Sequence, residues 1–221
     1  MAGRALVLFN LGGPDRLASV RPFLFNLFND RAIVNLPLPA RWLLAQLISR
    51  WRAPFARDIY RKLGGASPLL PETLAQARAI ESELGAGWRA FVAMRYWHPF
   101  SEETAHAVKN YAPHQIILLP LYPQYSTTTT ASSLSDWHGA AAAAGLNQPT
   151  AIIGCYPKAP GFIKAHARLL QMALAEADCD KSPLRVLFSA HGLPKRIILL
   201  FLSRFPTSTD DEISESALKL H

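Results

Sequence analysis

Short runs of apolar residues alternate with longer segments whose apolar residues recur at helical spacing. The short runs predict β-strands, and the longer segments predict amphipathic helices. The predicted strands cover residues 5–10, 88–94, 115–119, 150–154 and 184–189, and the predicted helices cover residues 72–84, 101–110, 134–144 and 161–177. Since strands that alternate with helices are typical of parallel sheets with crossover connections, the predicted fold class is α/β, a doubly wound, Rossmann-like parallel sheet.

The order of these elements predicts two domains. We expect a first α/β domain over residues 1–145 and the N-terminal part of a second, similar domain over residues 146–196. Ligands of doubly wound sheets bind at the carboxyl ends of the strands, so the loops after the strands are the candidate binding segments. The loop after the first strand lacks the G-x-G-x-x-G spacing, which argues against a nicotinamide or flavin cofactor.

The chain is basic, with a formal net charge of +7 over 221 residues. Much of this charge lies in residues 41–62, where arginines and a lysine are interleaved with tryptophans and leucines. One interpretation is a solvated helix face above an apolar underside. The alternative is a helix that contacts a membrane surface or borders a cleft, because aromatic and basic residues gather at such boundaries. No RNP-like, zinc-finger or helix-turn-helix pattern supports a nucleic-acid partner.

The remaining composition points to a reducing compartment. Cys155 and Cys179 are too few and too unpatterned for a disulfide framework, a thiolate metal site or an iron–sulfur cluster. No apolar run approaches the roughly 18 residues of a membrane-spanning helix, and the sequence has no recognisable secretory leader. We therefore expect a cytoplasmic protein, with residues 41–62 as the candidate surface for peripheral membrane contact.

Loops that follow three of the predicted strands carry residues suited to a binding site. His191 follows the fifth strand, where an imidazole can act as a base near neutral pH or as a metal ligand. Arg95 follows the second strand, and its planar guanidinium suits a carboxylate. The loop after the third strand contributes Tyr122, Tyr125 and Ser126. From physics alone, a packed histidine, a surface arginine and buried aromatic rings explain the same residues.

Five segments in order along the chain resemble the ferrochelatase family: LGGP at 11–14, GGASP at 64–68, RYWHP at 95–99, PLYPQYS at 120–126 and SAHGLP at 189–194. The resemblance implies a chelatase-type α/β fold. It also implies an enzyme, a lyase that inserts ferrous iron into protoporphyrin IX to form protohaem in haem biosynthesis. Its partners would be the porphyrin and Fe²⁺, both as substrates, with no permanently bound cofactor.

The resemblance also implies roles for individual residues. His191 would accept the pyrrole protons, contact the metal, or do both, since two N–H protons leave the porphyrin as the metal enters. Arg95 would bind a propionate group through its forked N–H donors. The other residues implied to line the porphyrin cleft are Leu11, Ser67, Tyr96, Tyr122, Tyr125 and Ser126.

The motif resemblance ends at Arg196. Residues 197–221 do not match the family pattern, and none of their carboxylates lies in the context of the family's second-domain glutamate. The abrupt change predicts a frameshift or a premature end of the reading frame, with residues 197–221 as an aberrant tail. The alternative to an active ferrochelatase is therefore a non-catalytic, truncated remnant that binds porphyrin.

Overall fold

The computed structural model describes residues 3–177 and 185–188. The chain divides into two compact units, Met1–Gly154 and Cys155–His221. The first unit contains nearly all of the described secondary structure. The second contains one described helix, α6 (Pro160–Glu176).

The first unit is built on a four-stranded sheet in the order β2-β1-β3-β4. The strands are β1 (Arg4–Asn10), β2 (Trp88–Met94), β3 (Gln115–Pro120) and β4 (Thr150–Ile152), and every pair is parallel. The chain first crosses from β1 to β2 on one side and then returns to β3 on the other side. The strand order therefore reverses at β1, which is where doubly wound sheets open a ligand crevice.

Helices cover both faces of the sheet. They are α3 (Leu69–Leu84) on one face, and α4 (Ser101–Tyr111) with α5 (Thr130–Ala144) on the other. Successive β1 side chains point to opposite faces. Val7 and Phe9 pack with Trp137 of α5, whereas Leu8 packs with Ala77 of α3. This arrangement confirms the predicted doubly wound α/β fold.

Two further helices, α1 (Val20–Phe28) and α2 (Leu38–Lys62), pack against each other. The buried positions of α2 are small residues at four-residue spacing, Ala45, Ser49 and Ala53. Small residues let two helix backbones approach closely. Because this contact uses the small residues, several large apolar side chains of α2 are exposed, and Trp51 is 82% exposed. The solvated face of residues 41–62 thus includes large apolar side chains as well as the charged ones expected there.

Two predicted strands differ from the structure. The strand expected at 150–154 is β4, and it hydrogen-bonds to β3 in the first sheet. The first unit consequently extends to Gly154, beyond the predicted domain of residues 1–145. Residues 185–188, the described part of the strand expected at 184–189, are not in a strand, and Leu187 and Phe188 are 90% and 91% exposed. A strand forms only beside a hydrogen-bonded neighbour, and these four residues have none assigned.

Among residues 3–177 and 185–188, no helix combines the length and the apolar character needed to cross a bilayer.

Candidate functional site

The loops after β1 and β2 are joined by backbone hydrogen bonds at the carboxyl edge of the sheet. The N–H of Arg95 donates to the carbonyl of Asn10, and the N–H of Tyr96 donates to the carbonyl of Leu11, both over 2.9 Å. On the other side of β1, the N–H of Leu121 donates to the carbonyl of Phe9 over 2.8 Å. Three loops that the sequence nominated therefore meet at one edge.

The segment before α3 joins the same edge through Ser67. Its N–H donates to the carbonyl of Pro14 over 2.8 Å. Gly13 lies so close that a Cβ added to it would be 2.4 Å from Ser67 Oγ. Such an approach requires a residue without a side chain, which explains the second glycine of the LGGP segment. Leu11 packs in the cluster that contains Tyr96.

Arg95 is held by three side chains. Its Nε donates to Ser132 Oγ over 2.8 Å. One terminal nitrogen pairs with Asp30 Oδ2 at 2.9 Å, and the other lies 3.4 Å from Asp136 Oδ1. The Asp30 side chain is 7% exposed and the Asp136 side chain 32% exposed. The guanidinium is thus fixed on its inner side and more loosely held at the rim.

Asp30 is the centre of this network. Its Oδ2 accepts hydrogen bonds from the hydroxyls of Tyr96 (2.8 Å) and Ser132 (2.7 Å), and its Oδ1 accepts the N–H of Ala32 (2.8 Å). Burial alone would raise the pKa of the Asp30 carboxyl. The bond from Ala32, the hydroxyl of Ser132 and the charge of Arg95 outweigh burial, so the pKa lies below its ordinary value.

Tyr96 is 1% exposed, and its ring packs with α1 and α2. Burial raises the pKa of its hydroxyl well above the ordinary value, and the adjacent Asp30 carboxylate raises it further. The hydroxyl therefore remains protonated and serves as a hydrogen-bond donor to Asp30. The structure places Tyr96 beneath the site, as support for Arg95.

An open cleft of about 480 Å³ lies over this network. Its wall is formed by the loop after α1, the loop after β2 and the start of α5. The lining residues that matter for charge and hydrogen bonding include Asp30, Arg31, Arg95, Thr127, Ser132 and Asp136. Within the described part of the chain, Arg31 has no hydrogen-bond or ion-pair partner. Among the described residues, the cleft thus combines the cation of Arg31 with a cluster in which one guanidinium faces two carboxylates.

The loop after β3 lies beside the same helix. The hydroxyl of Tyr122 is 3.4 Å from Ser133 Oγ, and Ser133 follows the serine that binds Arg95. Burial raises the pKa of Tyr122 to about 12. Ser126 is buried, and its Oγ accepts the N–H of Thr128 over 3.2 Å, so it shapes the turn that leads into α5. Tyr125 is half-buried in this loop.

The structure places the predicted site residues that it describes in loops at the carboxyl edge of the sheet, and of these Arg95 lines the cleft. His191, with its motif at 189–194, lies outside the described residues. Sequence reasoning missed Asp30, Ser132 and Asp136, which hold Arg95 in place. The described residues contain no group of three or more His, Cys, Asp and Glu side chains that could hold a metal ion.

Comparison with known proteins identifies the family. The family model Ferrochelatase matches residues 3–212, so the match continues past Arg196. A ferrochelatase from Phenylobacterium zucineum is 54% identical over 199 residues, covering 88% of this chain and 57% of the relative. A ferrochelatase from Caulobacter vibrioides is 52% identical over 88% of this chain and 56% of the relative. One from a Wolbachia of Drosophila simulans is 50% identical over 88% of this chain and 63% of the relative.

The chain spans about half the length of the curated relatives it matches. The family match nevertheless covers all of the described sheet and every loop at its carboxyl edge. Four of the five segments that resemble the family, those at 11–14, 64–68, 95–99 and 120–126, meet at this edge. The chain belongs to the ferrochelatase family.

Proposed function

We propose that the protein inserts Fe²⁺ into protoporphyrin IX and so forms protohaem. The observation that carries this proposal is the meeting of four family segments at the carboxyl edge of the sheet, where Arg95 of one segment lines an open cleft. Doubly wound sheets bind their ligands at that edge. The ferrochelatases that match this chain support the same reaction.

His191 is the proposed proton acceptor. Two pyrrole N–H protons must leave the porphyrin when a divalent metal replaces them, so the reaction needs a base close to the macrocycle. A neutral imidazole has a pKa suited to this transfer, and its lone pair can also contact the incoming metal. The support for His191 is its SAHGLP motif, since the residue lies outside the described structure.

Arg95 is the proposed partner of a porphyrin propionate. Its contact with Asp136 is longer and more exposed than its contact with Asp30. A propionate that enters from the cleft would therefore replace Asp136 and leave Asp30 in place. Leu11, Ser67, Tyr122, Tyr125 and Ser126 are the proposed residues around the macrocycle, with Tyr96 supporting Arg95 from below.

The test is metal insertion by the purified chain, with zinc as an air-stable substitute for iron and protoporphyrin IX as the second substrate. Loss of free-porphyrin fluorescence reports turnover. We expect turnover by the wild type, none by His191→Ala, and wild-type turnover by His106→Ala, which alters an exposed histidine of α4. Turnover by His191→Ala would contradict the role of His191. Porphyrin binding without turnover in the wild type would favour the non-catalytic binder.

We also propose that α2 contacts a membrane surface. Its exposed apolar side chains recur every four residues, so each lies next to the following one in a stripe that winds gradually around the helix. They are Leu43, Leu47, Trp51, Phe55 and Ile59, between 46% and 82% exposed. Arg50 and Arg52 flank this stripe. An apolar stripe bordered by cations suits a helix that lies in the interface of an anionic bilayer.

Co-sedimentation with vesicles that contain phosphatidylglycerol tests this contact. We expect binding to fall when Leu47 and Trp51 are replaced by serine, and to weaken when Arg50 and Arg52 are replaced by glutamine. The matched control is Leu84→Ser, which removes an exposed leucine from the end of α3. Equal binding by the wild type and the Leu47→Ser/Trp51→Ser variant would exclude the stripe as a membrane surface.

A further inference from the structure

The carboxylate of Asp30 binds groups from three separate parts of the chain. Its partners Tyr96 and Ser132 lie 66 and 102 positions away in the sequence. Together with Arg95 and the N–H of Ala32, they supply four donors to two oxygens. Although Asp30 lines the cleft, its side chain is only 7% exposed and its carboxylate is largely occupied by donors from the protein itself.

Such a buried charge is expensive to maintain. Removing a carboxylate from water costs several kcal/mol, and pairing it with a cation recovers that cost only with good geometry and further hydrogen bonds. A packed apolar side chain could join α1 to the sheet equally well. The buried pair is better explained by the need to fix a charged group at the cleft above it.

We propose that Asp30 is a positioning residue of the candidate active site. It sets the location of the Arg95 guanidinium and the Ser132 hydroxyl at the cleft wall, and Tyr96 anchors it from below. The proposal rests on the proposed function, because the group that Asp30 positions is the one assigned to a porphyrin carboxylate. In this proposal Asp30 acts through Arg95 and Ser132 rather than through a contact of its own with substrate.

The two carboxylates around Arg95 divide this work. Asp30 lies inside at 2.9 Å with three further donors, whereas Asp136 lies at the rim at 3.4 Å and accepts the hydroxyl of Ser101. A buried, fully satisfied contact exchanges less readily than an exposed one. Asp30 thus orients Arg95, whereas the contact between Arg95 and Asp136 is the one that a ligand would replace.

The first test measures the position of Arg95 without requiring any ligand. In ¹⁵N-arginine-labelled protein, the Nε–H that donates to Ser132 should give a resonance protected from solvent exchange, assigned by its absence in Arg95→Lys. We expect Asp30→Asn to accelerate its exchange about tenfold, because the guanidinium loses the charge-assisted contact between its terminal nitrogen and Asp30. Asp136→Asn, the matched control, should change the exchange rate less than twofold. Wild-type protection in Asp30→Asn would overturn the proposal.

A second variant decides the question if Asp30→Asn does not fold. Asp30→Glu keeps the charge but moves the carboxylate by one methylene, so the fold tolerates it better while the geometry at Arg95 changes. We expect faster Nε–H exchange in this variant too. Unchanged exchange in a folded Asp30→Glu protein would show that the position of Arg95 does not depend on Asp30.

The third arm links the position of Arg95 to binding. We expect Asp30→Asn and Arg95→Lys each to raise the Kd for protoporphyrin IX about tenfold, and the double variant to bind no worse than either single variant, because both act on the same contact. Additive losses would contradict the proposal. If the wild type binds no porphyrin, the proposed function fails, whereas the exchange measurement still decides the role of Asp30.

Discussion

The hydroxyl of Tyr96 donates a hydrogen bond to Oδ2 of Asp30 over 2.8 Å, although 66 positions separate the two residues in the chain. The bond connects the end of α1 to the loop after β2, directly beneath Arg95. The fold thus stabilises one ionisation state of each partner, the neutral phenol of Tyr96 and the charged carboxylate of Asp30. Both preferences have consequences for stability that can be measured.

The first prediction concerns acid. Because the pKa of Asp30 is lower in the folded protein than its ordinary value of 3.8, the unfolded chain binds the proton more readily. The stabilisation from Asp30 is therefore fully present above pH 3.8 and is lost as the pH falls through the folded pKa. Urea unfolding between pH 6 and pH 3 should show a shallower acid decline in Asp30→Asn than in the wild type. Parallel declines would contradict the assignment.

The second prediction concerns base. Burial raises the pKa of Tyr122 from 10.0 to about 12, so the folded protein resists its ionisation. The stabilisation is present below pH 10 and is lost as the pH rises towards 12. We expect Tyr122→Phe to reduce the decline of the urea midpoint between pH 9.5 and pH 11.5. Tyr60→Phe provides a comparison at another tyrosine whose pKa burial raises. An unchanged decline in Tyr122→Phe would exclude the raised pKa.

The third prediction tests the close approach of the loops after β1 and before α3. In Gly13→Ala, the new Cβ would lie 2.4 Å from Ser67 Oγ, so the loops must separate. We expect a loss of about 1–3 kcal/mol in the free energy of unfolding, as for other overpacked contacts. Gly139→Ala is the matched control, because its Cβ meets nothing within 4 Å. There we expect a gain of up to about 1 kcal/mol from helix propensity.

The fourth prediction contrasts the two faces of α2. Ala53 is only 2% exposed because it packs against α1, and Ala53→Leu should lower the free energy of unfolding by about 1–3 kcal/mol. Trp51 is 82% exposed, and Trp51→Ser should change the free energy of unfolding by less than about 0.5 kcal/mol. Thermal unfolding of the two variants compares them directly. A large loss in Trp51→Ser would mean that the outer face packs against protein.

The hydrophobic pattern predicted the sheet well because each buried strand is a short run of apolar residues, which is visible in the local sequence. Residues 88–94 were predicted as a strand and form β2, and residues 101–110 were predicted as a helix and form most of α4. The helix α1 was not predicted, since its sequence, with Pro22 and three phenylalanines, has no clear polar face. Residues 185–188 were predicted as part of a strand and are not in one, because apolar character alone does not supply a neighbouring strand to pair with.

The site was only partly predictable for a related reason. Arg95 was found because a recognisable motif surrounds it, and Ser67 because glycines precede it. Asp30 stands alone between an apolar helix and a polar loop, and its importance arises from partners 66 and 102 positions away. A contact at such a distance along the chain leaves no local pattern in one sequence.

The most direct test of the account is porphyrin binding in a blocked cleft. Ser135 is exposed on α5 and lines the cleft, so Ser135→Trp should obstruct it without altering the Asp30 network. Ala142→Trp adds the same side chain to an exposed position of α5 outside the cleft. We predict that the wild type and Ala142→Trp bind protoporphyrin IX with the same Kd, and that Ser135→Trp binds at least about tenfold more weakly, the loss of roughly 1.4 kcal/mol. Equal binding by all three proteins would contradict the placement of the porphyrin in this cleft.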